Sequence, residues 1–136
     1  IAAAANIKFA VDEIAMRFQQ QTGLELRISY GSSGNFITQI QHGAPFEMML
    51  SADEGYIDKL HQAGFTQDEG IVYAIGRLAL AAPKASPLIL DPELVGLRQL
   101  IDDGKLSRFA IANPDHAPYG VSAREVLKAK GDATGI

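Results

Sequence analysis

The chain has 136 residues, 47% of them apolar, which suffices for the core of an ordinary domain. A net charge of −4 offers no basic stripe to neutralise phosphates and argues against a nucleic-acid partner. With no cysteine there is no disulfide or thiolate chemistry, and no apolar run reaches the ~18–20 residues that span a membrane.

Ile1 to Ala5 reads as a short buried strand, the tail of one cut by processing or truncation, since a basic leader region is missing. Asn6 is a suitable helix N-cap. Ile7, Val11, Ile14, Ala15 and Phe18 then form an apolar stripe at helical spacing that stops at Thr22-Gly23. Leu24, Leu26, Ile28 and Tyr30 alternate with Glu25, Arg27 and Ser29, the period-two pattern of a half-buried strand. Gly31-Ser32-Ser33-Gly34 leads into a helix expected over Asn35 to His42 and stopped by Gly43. Phe46 to Leu50 reads as a central strand. Ser51 or Asp53 caps a helix that points Tyr56, Ile57 and Leu60 inward and closes at Gly64. This alternation of strands and helices predicts an α/β fold with a mainly parallel sheet covered by helices.

Ile71 to Ala82, broken by Gly76, reads as one long strand that leaves the first body for a second. Past Pro83 the pattern predicts a short helix over Leu97 to Ile101, a strand over Arg108 to Ile111, and a helix over Val121 to Lys130. One convincing strand is too little for an independent sheet, so residues 1–82 read as a first lobe and 83–136 as part of a second. Exposed edges around Arg108 to Ile111 would favour a homodimer that swaps this segment.

Three helix starts carry candidate chemistry: Asn6, the Gly31 to Gly34 loop, and Tyr119-Gly120. The first turn of a helix leaves backbone N–H groups unpaired at the positive end of its dipole. Small residues let an anion approach those groups, and the Ser32 and Ser33 hydroxyls add donors. The middle loop lacks the lysine of a P-loop and the spacing of a nucleophile elbow. Lys8 is the only cation expected nearby, so selectivity rests on cavity size and donor placement. His42 and His61 fall near helix C-termini, and His116 lies in the loop beside Tyr119. None has a partner at metal-ligand spacing, and Ser33 with His116 lacks a third orienting group, so neither a metal centre nor an enzyme is expected.

Five segments carry a resemblance: Ala3 to Asn6, Tyr30 to Asn35, His42 to Phe46, Leu50 to Glu54, and Asn113 to Gly120. In order and spacing the chain resembles the periplasmic molybdate-binding proteins of ABC transporters, class II two-lobed solute-binding proteins. The resemblance implies a tetrahedral oxyanion, molybdate or tungstate, held between lobes for delivery to a permease, with no cofactor and no catalysis. It places the ligand contacts on Asn6, Ser33 with its neighbour Ser32, and the backbone of Tyr119. Some members have Thr before the first-loop contact where this chain has Ala5. Family members continue for on the order of 100 further residues that complete the second lobe. An effector-sensing domain of a transcriptional regulator is the alternative that shares the fold.

Overall fold

Three consecutive alanines set the centre of the sheet. Ala2–Ala4 forms strand β1 and is almost wholly buried, as suits a strand covered on both faces. The computed structural model describes residues 1–134, so the last two residues of the expected second-lobe segment lie outside it. β1 pairs in parallel with β2 (Ser29–Gly31) on one side and β3 (Met49–Leu50) on the other. Parallel neighbours require long crossovers. Helix α1 (Lys8–Thr22) supplies the first and α2 (Ser33–Gln41) the second, and α3 (Glu54–Gln62) follows β3. The expected α/β alternation and parallel sheet are both present.

Periodicity located the helices well. Gly23, Gly43 and Gly64 end α1, α2 and α3 in left-handed backbone at φ 75°, 85° and 78°, a region where a Cβ is unfavourable. Val11, Phe36, Ile37 and Leu60 turn inward, and Phe36 meets Phe46 edge-to-face at 5.4 Å. Ile14, expected in the apolar stripe, is 60% exposed instead.

The strands differ more. Leu26, Ile28 and Tyr30 keep the predicted alternation in burial, Leu24 is 62% exposed instead, and only Ser29–Gly31 joins the ladder. Phe46 to Leu50 contributes two paired residues beside β1, so β1 and not β3 is central. Ile71 to Ala82 and Arg108 to Ile111 form no strand among the described residues. A strand exists only where a neighbour takes its N–H and C=O groups, and local alternation cannot report that neighbour. The strand edge expected to drive dimerisation is therefore not formed.

Two compact units are present: Ile1–Gly76 with Asp115–Pro118, and Arg77–Pro114 with the chain from Tyr119 onward. In the second, α4 (Val95–Asp102) buries Leu97 and Leu100, and α5 (Pro118–Thr134) begins at a proline, which suits a first helical position. Each starts two to three residues before its predicted limit. Among the described residues no helix is long and apolar enough to cross a membrane.

Candidate functional site

The register places the candidate loops at one edge of the sheet. Ala4 pairs with Gly31, so the chains leaving β1 and β2 start level with each other, with neighbouring strands about 4.8 Å apart. Asn6 lies two residues past Ala4, and Ser33 two past Gly31. Ala3 pairs with Leu50, which brings Ser51 to the same level on the other side. The third strand–helix junction at this edge is therefore Ser51 to Glu54. In the sequence that stretch reads as a helix cap and as one of the five resembling segments, not as a candidate donor loop.

Asn6 does not cap α1. It sits mid-way through a tight 3-10 turn, Ala5–Ile7, and α1 begins two residues later after Ile7, with no side-chain cap. The turn closes the first loop through backbone bonding and leaves the exposed Asn6 amide outside that role.

Ser32 does cap α2: its Oγ accepts from the Asn35 N–H at 3.4 Å. Ser33, the first residue of the helix, is completely buried, and its Oγ accepts from the Ala52 N–H at 3.0 Å. That bond ties the second loop to the junction after β3 across 19 residues of sequence. A serine hydroxyl that accepts keeps its O–H to donate, so both side chains retain a donor for an anion. Ser51 does not, because its Oγ–H already goes to the Asp53 carbonyl at 2.7 Å. Ser33 is closed off from solvent in this structure. Asp53, rather than Ser51, caps α3 by accepting from the Gly55 N–H at 2.8 Å.

Glycine at 34 permits a close approach. The Gly34 N–H donates to the His116 carbonyl at 3.3 Å, and a Cβ there would stand 3.0 Å from that oxygen. His116 thus meets this loop through its backbone. Tyr119 belongs to the other unit, as the second residue of α5. Its neighbour Gly120 packs so tightly that a Cβ would fall 2.2 Å from the Ala112 carbonyl.

Lys8 is not a free cation beside the first loop. Its Nζ donates to Asp12 at 2.6 Å and stands 4.6 Å from the centre of the Tyr30 ring. His42 and His61 occupy helix ends as expected, His42 within 2.7 Å of the Thr38 carbonyl and His61 within 3.1 Å of Thr66 Oγ1. The second unit holds a cavity of about 640 Å³ lined by Ile89, Val95 and Leu100. Asp91, Glu93 and Asp103 also line it, and its Lys105 is paired with Asp103, a poor setting for an anion.

The family model of bacterial extracellular solute-binding proteins matches residues 1–136. This chain belongs to that family. The molybdate-binding protein ModA of Azotobacter vinelandii is 37% identical over 132 residues, covering 96% of this chain and 50% of that protein. ModA of Escherichia coli strain K12 is 30% identical over 133 residues, covering 95% and 50%. Among solved structures, the periplasmic molybdate-binding protein of Azotobacter vinelandii matches with a TM-score of 0.57 at 26% identity, over 98% of this chain and 58% of that one. The chain thus spans about half the length of the curated relatives it matches. Its α/β architecture matches part of a type II binding-protein fold.

Proposed function

We propose that the protein binds a tetrahedral oxyanion, molybdate or tungstate, and delivers it to an ABC transporter permease. The observation that carries this reading is the pair of serines at the start of α2, each with its acceptor side occupied and its proton left to donate. The names of the molybdate-binding relatives support the choice of ion. Asn6, Ser32, Ser33 and the Tyr119 backbone are the proposed contacts, with residues 1–82 as the first lobe and 83–136 as part of the second. Neutral donors hold the anion, and the spacing of those donors discriminates ions by size.

Calorimetric titration of the intact protein with molybdate, tungstate, sulfate and phosphate tests this. Molybdate and tungstate are expected to bind more tightly than the other two. Ser33→Ala removes a hydrogen bond to a charged group and is expected to weaken binding by about tenfold or more. Equal affinity for all four ions, or none for any, overturns the assignment.

A further inference from the structure

Tyr56, which sequence reasoning placed only as an inward-facing residue of α3, stands at the mouth of the second loop. A Cβ on Gly34 would lie 3.4 Å from the Tyr56 hydroxyl and 3.0 Å from the His116 carbonyl, so these groups meet at the start of α2. The side chain is half-buried, and its hydroxyl makes no hydrogen bond among the described residues. Two groups of positive sign stand near it. The amide end of α2 lies beside it, and the Lys59 ammonium, one turn along α3, stands 5.5 Å from the ring centre. Such a place favours an incoming acceptor of negative charge, to which the hydroxyl proton can be given.

We propose that Tyr56 is a further ligand-contacting residue of the oxyanion site, its hydroxyl a neutral donor beside Ser32 and Ser33. This rests on the oxyanion reading above and adds to it a contact from the β3–α3 side of the same sheet edge. Lys59 then acts through the ring, as a cation that adds positive potential at the hydroxyl.

Tyr56→Phe keeps the ring and removes only the hydroxyl, so the test is calorimetric titration of the intact wild-type, Tyr56→Phe and Ser33→Ala proteins with molybdate. Tyr56→Phe is expected to weaken affinity by about tenfold. Its thermal unfolding without anion should match wild type, because that hydroxyl makes no hydrogen bond among the described residues of the free protein. The chain has no tryptophan, so tyrosine ultraviolet absorbance gives a second reading. Molybdate should perturb it in wild type and less in Tyr56→Phe. Wild-type affinity in Tyr56→Phe alongside a weakened Ser33→Ala removes Tyr56 from the site and leaves the oxyanion reading standing. Absence of molybdate binding by wild type brings down both.

Discussion

A carboxylate on α1 determines what the first loop can offer. Asp12 accepts from Lys8 at 2.6 Å and from the Tyr30 hydroxyl at 2.6 Å, and Lys8 lies over the Tyr30 ring. The bond from Lys8 first, and that from Tyr30 second, hold the Asp12 carboxyl below the usual range. Desolvation first, then the bond to Asp12, pushes Tyr30 up from 10.0 to about 12. The two shifts act in opposite pH windows. The Asp12 contribution to stability is present above its unfolded value near ~3.9 and is lost as pH falls through the lowered folded value. The Tyr30 contribution is present below its unfolded value near ~10 and is lost as pH rises through about 12. Spectrophotometric titration should therefore show a late phenol that disappears in Tyr30→Phe. In Asp12→Asn it should move only part-way back, because desolvation, the larger cause, remains. A titration in which Tyr30→Phe removes no late phenol contradicts the triad. With its charge committed here, Lys8 leaves the first loop to neutral donors.

Among the elements, helices were legible in place and extent, whereas β1, β2 and β3 were legible in place but not in extent and two further expected strands did not form, for a physical reason. A helix closes its hydrogen bonds within a few residues, so stripes such as Val11 to Phe18 and stops such as Gly23 carry the information locally. A strand depends on partners far along the chain, which is why Arg108 to Ile111 looked like one and is not. The site divides similarly. Ser32 and Ser33 stood out by composition, whereas the tie from Ser33 to Ala52 and the placing of Tyr56 beside Gly34 arise only when α2 packs on α3. Helix α4 shows how much one cap can do without any period to announce it. Asp91 accepts from Glu93, Val95 and Gly96 N–H groups at 3.0, 3.0 and 2.8 Å, while Leu94 takes left-handed backbone at φ 59° to allow it. These bonds, that from Gly96 foremost, hold the carboxyl below its ordinary value. The stability they give is present above the unfolded value of ~3.9 and fades as pH falls through the lowered one. Asp91→Asn should accordingly be less stable than wild type at neutral pH, with the gap closing in acid. A gap that does not depend on pH in chemical denaturation argues against a charged cap.

At the scale of the whole molecule, the net charge of −4 opposes an anionic ligand at long range. Attraction has to come from donors in contact with the ligand, and this separates the present reading from a site built on ion pairs. Salt screens distant charges with a Debye length of about 8 Å at ~0.15 M, but scarcely alters hydrogen bonds from Ser32, Ser33 or Tyr56 at contact distance. Lys8 is held by Asp12, so screening it costs little. Raising ionic strength with a non-competing salt from about 0.01 M to about 0.15 M should then leave molybdate affinity unchanged or slightly improved, as the general repulsion is damped. The same balance should appear in stability. A ligand that binds only the folded chain adds about 2.7 kcal/mol at a hundredfold excess over its Kd, and this increment should persist at the higher salt. Calorimetry and thermal unfolding at the two ionic strengths read both quantities. A steep fall in affinity with salt would mean that a free cation, Lys59 foremost, does the holding in place of neutral donors.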